Sequence, residues 1–339
     1  MAALAKSNRL NTLLSKPRCS RIGVFAIFET FQKNTLLAFL NLIRYKNLIL
    51  ILLTQVLIHF GFLKALGLPV ALSSFDFGIL ALASLCIAAA GYIINDINDV
   101  QSDQINKPLQ TYLPEPFSEK QAFNYYLLFN ILGVGLGFFL SYKTGLGNFT
   151  SLFVLISALL YIYSSFLKGI ILVGNLVVSL VVASSIFIVL VFDVTPILNQ
   201  FQEQLVTPLA VLRDYTIFAF MLNFLRELVK DIEDANGDYA AGIQTLPIVL
   251  GLERTAKLSA YLGVIYIFGI LGYIYVYLQT NVWTSIYLVA SVVVPLVFFC
   301  MKARYAEKQK HYAFLSKLLK LIMLFGMLSL GVLTLTLKY

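Results

Sequence analysis

Charge is scarce in this chain. Only 12% of its 339 residues are Asp, Glu, Lys or Arg, about half the share of an ordinary soluble domain. That excludes a chain whose surface is mostly solvated. Cysteine is scarcer still. Cys19, Cys86 and Cys300 are scattered with no CxxC pair, which excludes a disulfide framework and a zinc site built on cysteine spacing. The two histidines, His59 and His311, lie far apart and read as structural rather than catalytic. No acidic loop carries the alternate ligands and central glycine of a calcium-binding EF-hand. What is abundant is apolar: 59% of the chain is hydrophobic. Several runs reach the ~18–20 residues that cross a hydrocarbon core. The class this predicts is an all-α polytopic membrane protein.

Nine spans are predicted, near 47–67, 76–95, 121–142, 149–167, 170–192, 211–230, 256–279, 283–301 and 314–336. An odd number puts the two ends on opposite sides. With the N-terminus inside, 21 of the 25 basic residues fall on the inner side, leaving Lys64, Lys143, Arg213 and Lys338 outside. Cytoplasmic loops collect Lys and Arg, so this asymmetry predicts an N-in, C-out orientation. The net charge of +8 then reads as a topology signal and not as a nucleic-acid surface. Residues 1–34 stand apart as a basic N-terminal segment, with five basic residues before the first acid, Glu29. They fit a targeting peptide or a basic helix lying at the membrane surface; the second reading is preferred. Residues 35–339 form the nine-span domain.

The few acids are not scattered. Asn95-Asp96-x-x-Asp99-x-x-x-Asp103 follows the second span, and Asp231-x-x-Asp234-x-x-x-Asp238 follows the sixth. Spacings of i, i+3 and i+7 bring each triplet within about 60° on one helix face. Both triplets fall on the inner side. Six carboxylates beside a bilayer need cations, because isolated buried charge is too costly. Carboxylate oxygens suit hard cations, and Mg²⁺ typically takes one or two of them together with waters and substrate phosphates. Two Mg²⁺ and a diphosphate leave part of the acidic charge for nearby bases, for which Arg44, Lys107, Lys168, Arg226 and Lys230 are candidates. Such a cluster stabilises the charge of a diphosphate leaving group. The alternative is a pair of charged helix faces with no metal.

These motifs resemble those of the UbiA superfamily of intramembrane prenyltransferases, which carry N-D-x-x-D-x-x-x-D after the second helix and D-x-x-D-x-x-x-D after the sixth. Gly91-Tyr92-Ile93-Ile94-Asn95-Asp96 and Lys230-Asp231-Ile232-Glu233-Asp234 match. Further matches are Arg44-x-x-Asn47, Tyr163-Ser164 with Lys168, Gly174-Asn175, Gly237-Asp238, Gly242 and Thr245-Leu246-Pro247. The family's usual Arg-Pro is Arg44-Tyr45 here. The resemblance implies nine transmembrane helices around a central cavity with a cytoplasmic cap. It also implies Mg²⁺-dependent transfer of a polyprenyl group from its diphosphate. Asp96, Asp99, Asp231 and Asp234 are then the catalytic metal ligands, with Asp103 and Asp238 more peripheral. Arg226, Lys230 and Lys168 are diphosphate contacts that compete with a role as membrane anchors. Arg44 and Asn47 are expected at the cavity. Two readings of Asn95 stand, orienting a metal-bound water or tying helices together. Tyr92, Tyr161 and Tyr163 are candidates to face a carbocation.

The motifs read the donor and not the acceptor. Stretches 41–53 and 226–238 look similar to members that transfer geranylgeranyl to a prenylated glycerol phosphate, making an ether lipid. The alternative is prenylation of an aromatic acid on the way to a quinone. A membrane cation transporter also uses intramembrane acids, but acids gathered at one side disfavour a relay. CDP-alcohol phosphotransferases are excluded by the missing D-G-x-x-A-R signature. The expected location is a bacterial plasma membrane, with the site cytoplasmic.

Overall fold

The computed structural model describes residues 35–106 and 111–338. Two compact units divide at Asn41; of the first, residues 35–41 are described and are helical. The basic segment 1–34, Cys19 and Lys107 lie outside the described residues. The second unit, Leu42–Tyr339, carries everything that follows.

Among the described residues every regular element is helical. Nine helices are long and apolar enough to cross a membrane: α1 Tyr45–Lys64, α2 Ser74–Asn98, α3 Glu119–Lys143, α4 Gly147–Ser165, α5 Val173–Ile197, α6 Gln202–Ala240, α7 Leu252–Tyr277, α8 Val282–Ala303 and α9 Gln309–Lys338. Their ends are chemically marked. Ser73 caps α2 by accepting from the Asp76 N–H at 3.1 Å. Ser118 and Gln121 close a capping box at the start of α3. Gly242, at φ 73°, stands just past the end of α6 in the left-handed region that glycine tolerates.

Packing follows small residues. The face of α2 that buries Ala83, Ile87 and Ala90 lies against α3. A Cβ added at Gly133 of α3 would meet Ile87 at 2.6 Å and the Ala83 carbonyl at 3.1 Å, so glycine sets how closely the two helices approach. In turn α5 packs on α6, α6 on α9 and α7 on α8. Outward faces are apolar as well: Phe268 is 70% exposed and Trp283 73% exposed. A water-facing surface of that kind would aggregate, whereas lipid accepts it. The protein is an integral membrane protein.

One stretch of α1 departs from regular geometry. Residues Leu57–Lys64 of α1 are wound as π-helix around His59, which is fully buried. Its Nδ1 lies 2.6 Å from Asp193 Oδ2, and its ring stacks on Phe77 at 4.2 Å. The other Asp193 oxygen accepts from the Leu72 N–H at 3.2 Å. This polar island sits at the end of the bundle where α1 and α5 finish. The aspartate triplets lie at the end where both helices begin.

Candidate active site

The first triplet is not on one unbroken helix, contrary to the spacing argument. α2 stops at Asn98, Asp99 adopts φ −96° and ψ 3°, and a short helix Val100–Asn106 carries Asp103. Asp96 and Asp103 are thus presented by different helices. The second triplet lies wholly within α6, as expected.

Side chains from the short helix join the two triplets. Asn106 Nδ2 donates to the backbone carbonyl of Asp234 at 2.7 Å, and its Oδ1 accepts from the Gly237 N–H at 2.9 Å. A Cβ at Gly237 would collide with the Ser102 carbonyl and with Asn106, so the family match at Gly237 marks a close backbone approach. The rest of the α2 end is tied to α4, where Asn98 Nδ2 donates to Ser164 Oγ at 2.8 Å and Ser164 Oγ donates to the Ile94 carbonyl at 3.1 Å.

Asp96, Asp99 and Asp231 each meet a base or an amide. Arg44 Nη2 lies 2.6 Å from Asp96 Oδ1, and its guanidinium stands over the Tyr92 ring at 5.1 Å. Burial works against the Arg44 charge, but Asp96, Tyr92 and Asp103 outweigh it and raise its pKa. Arg44 reaches this position from a left-handed backbone, φ 51° and ψ 52°, at the start of α1. For a residue other than glycine that conformation costs roughly 1–2 kcal/mol. Lys168 Nζ lies 2.5 Å from Asp99 Oδ2, and Asn95 Nδ2 donates to the same oxygen at 2.6 Å. Asn175 Nδ2 donates to Asp231 Oδ2 at 2.7 Å. Arg226 Nη1 and Lys230 Nζ both turn to Glu227, at 2.7 and 3.7 Å. The charges couple across the gap between the helices: Asp238 senses Asp234, Asp99, Lys168 and Lys230, and Asp96 senses Lys230. The structure therefore gathers the motif acids with Arg44, Lys168, Arg226 and Lys230 at one end of the bundle.

Several contributors were not anticipated. Gly174-Asn175 matched the family motif without a role. Here Gly174 lets the turn Leu167–Gly169 that carries Lys168 rest against α5, since a Cβ would lie 3.2 Å from Lys168 Cα. Asn175, one residue on, reaches Asp231. Glu227, outside both triplets, is the buried acceptor for two bases. Lys320 of α9 donates to Asn47 Oδ1 at 2.5 Å; its place among the inner-side basic residues gave no hint of this.

Beneath the acids lie two adjoining cavities of about 160 and 180 Å³. The first is lined by Arg44, Asn95, Tyr163, Glu227 and Lys230, and the second by Lys320, Tyr215 and Met327. They share Asn47, Tyr92, Asn223 and Arg226. Tyr92 and Tyr163 thus face the interior as expected. Tyr161 does not: it is half-exposed and lies beside Tyr126, ring centroids 6.3 Å apart. Two positions along a helix are about 200° apart, so Tyr161 and Tyr163 face opposite ways.

Among the described residues no three carboxylate, histidine or cysteine side chains converge as a ready metal cage. The donor chemistry still suits a hard cation. The six motif aspartates and Glu227 make seven carboxylates, against four bases paired with them, Arg44, Lys168, Arg226 and Lys230. All seven offer carboxylate oxygens, the ligand type that hard cations prefer.

The description "UbiA prenyltransferase family" matches residues 55–327. The digeranylgeranylglyceryl phosphate synthase of Pyrococcus abyssi is 33% identical over 232 residues, covering 67% of this chain and 74% of that protein. The synthase of the same description from Hyperthermus butylicus is 32% identical over 263 residues, covering 76% and 81%. Solved structures share the fold. One, from work on digeranylgeranylglyceryl phosphate synthase in membranes, has a TM-score of 0.61 at 23% identity and covers 88% of this chain and 98% of its own. Another, a UbiA homologue from Archaeoglobus fulgidus bound to DMAPP and Mg²⁺, has a TM-score of 0.52 at 16% identity, covering 87% and 99%. On the strength of that span, and of two acidic motifs joined at one end of a nine-helix bundle, the chain belongs to the UbiA prenyltransferase family.

Proposed function

We propose that this enzyme transfers a polyprenyl group, by preference geranylgeranyl, from its diphosphate to the hydroxyl of a prenylated glycerol phosphate, with Mg²⁺ as cofactor. The observation that carries the donor half is the joining of the two acidic motifs by Asn106, above an apolar cavity. The acceptor half is supported by relatives described as digeranylgeranylglyceryl phosphate synthases.

Asp96, Asp99, Asp231 and Asp234 would hold the metal, with Asp103 and Asp238 at the margin. Water and phosphate oxygens would complete the shell, as is usual for Mg²⁺. When bound, the metal supplies Lewis-acid neutralisation of the diphosphate. The chain's own residues do the rest. Arg44, Lys168, Arg226 and Lys230 release their carboxylates in part and turn toward phosphate oxygens. Asn95 and Asn175 hold Asp99 and Asp231 in place. The apolar cavity excludes water from an allylic cation, and the faces of Tyr92 and Tyr163 favour positive charge. The C1–O bond of the donor breaks, the glycerol oxygen bonds to C1, and the hydroxyl proton is balanced on the departing diphosphate.

Residues 35–339 form the catalytic domain in this reading, and residues 1–34 a separate basic segment. The basic-residue asymmetry supports placing the N-terminus and the site on the cytoplasmic face of the plasma membrane. The short helices Val100–Asn106 and Leu246–Leu250 would then be the core of a cytoplasmic cap.

The test offers labelled geranylgeranyl diphosphate with a panel of acceptors to membranes containing the protein. Product mass identifies the acceptor. Labelling of an aromatic acid alone would overturn the glycerol phosphate reading, and full turnover in a chelator would overturn the metal.

A further inference from the structure

Four bases at the site each meet a carboxylate. Lys320 does not. It is half-buried, it donates to an amide oxygen of Asn47, and it has no carboxylate partner among the described residues. The charged groups it senses are Arg226, Lys46 and Arg44, all of its own sign. Arg44 and Arg226 have their own carboxylates, Asp96 and Glu227, whereas Lys320 has none among the described residues, and a cation so placed is suited to receive an anion.

A second observation points the same way. The cavity of about 180 Å³ opens on Lys320, Asn47 and Arg226, and is walled deeper by Leu57, Met323 and Met327. None of the six motif aspartates lines it. Arg226 lines both cavities, and its Nε is buried without a hydrogen-bond partner among the described residues. One donor of the guanidinium is engaged by Glu227, and this one is left for a ligand.

Resting on the reading that the acceptor is a prenylated glycerol phosphate, we propose that Lys320 and Arg226 Nε bind its phosphate monoester. The apolar depth along α9 houses the acceptor's own prenyl chain, while the donor occupies the neighbouring cavity under the aspartates. A phosphate monoester carries about −1.5 to −2 at neutral pH and matches two converging cationic donors. Asn47 and Tyr92, at the junction of the cavities, stand where acceptor and donor meet. Lys320 is in this view a specificity-determining residue for the acceptor.

The experiment uses the full chain in lipid nanodiscs, comparing wild type with Lys320→Gln and Lys320→Arg. Acceptor and donor concentrations are varied separately, and the acceptor is offered with and without its phosphate. Lys320→Gln is expected to raise KM for the phosphate acceptor about tenfold to a hundredfold and to leave KM for geranylgeranyl diphosphate within about twofold. Preference for the phosphorylated acceptor shrinks with it, and Lys320→Arg restores much of both. In the wild type, free glycerol phosphate competes with the acceptor and not with the donor, a result that does not depend on how the variants fold. An unmoved acceptor KM, an equal loss with both acceptors, or competition against the donor would overturn the assignment. Wild-type enzyme that ignores prenylated glycerol phosphate would instead remove the acceptor reading itself, and this site with it.

Discussion

Asn106 holds Asp234 by its backbone, with the side-chain amide on the Asp234 carbonyl at 2.7 Å. The clamp sets the spacing of the two acidic motifs without using a carboxylate. Asn106→Ala is expected to lower kcat about tenfold to a hundredfold, the scale of a misplacement near 1 Å, while the protein stays folded. Gly237→Ala should do the same by steric conflict, and the two together should cost less than the product of the separate effects. Steady-state prenyl transfer by the three variants checks this; additive losses would mean that no shared clamp exists.

Asp96 and Asp231 come from different helices and have different partners, Arg44 and Asn175. If both serve one metal–diphosphate cluster, Asp96→Asn and Asp231→Asn should each cost at least about 10²-fold in turnover. Monodisperse protein by size exclusion in detergent establishes that folding is intact. Near-wild-type rates in either would remove that residue from the cluster.

Lys168 is anchored to Asp99 in the free enzyme at 2.5 Å. Phosphate oxygen is a competing partner of the same kind. Lys168→Met is expected to raise KM for the prenyl diphosphate about tenfold, and to leave discrimination between acceptors unchanged. Kinetics with the donor varied at saturating acceptor give the answer. A change in acceptor KM alone would contradict it.

The His59–Asp193 pair is fully buried, away from the acids. His59→Leu keeps much of the volume but removes the imidazole from the Asp193 carboxylate, whose other oxygen accepts from the Leu72 backbone N–H. Taking a hydrogen-bond partner from a buried polar group costs about 1–3 kcal/mol. A clear drop in Tm in detergent is expected, with activity per folded molecule held. An unchanged Tm would show that the pair contributes little.

Much of this was legible in the apolar runs. The second span, expected at 76–95, is Ser74–Asn98, because hydrophobic length tracks the membrane directly. The sixth, expected at 211–230, is Gln202–Ala240. There the apolar signal stops at Lys230 while the backbone stays helical through Gly237 to Ala240, just before Gly242 in its left-handed conformation. The turn at Asp99 had no such marker. Neither Gly nor Pro stands near it, and only the docking of Asn106 on α6 explains why the chain bends. Burial partners were equally hidden: Asn175 reaches Asp231 across 56 positions and Lys320 reaches Asn47 across 273. Composition and spacing report what one helix does, and these contacts exist only once helices meet.

A 39-residue helix is about 58 Å long, close to twice the ~30 Å hydrocarbon core. From Asp231 to Asp238, α6 climbs about 10 Å beyond its last apolar turn. One rigid rod therefore runs from oil into water. A reaction seated along it has a way out for each product: inorganic diphosphate can leave upward into solution, and the lengthened lipid sideways into the bilayer. Sorting products into two phases would pull transfer forward with no moving part.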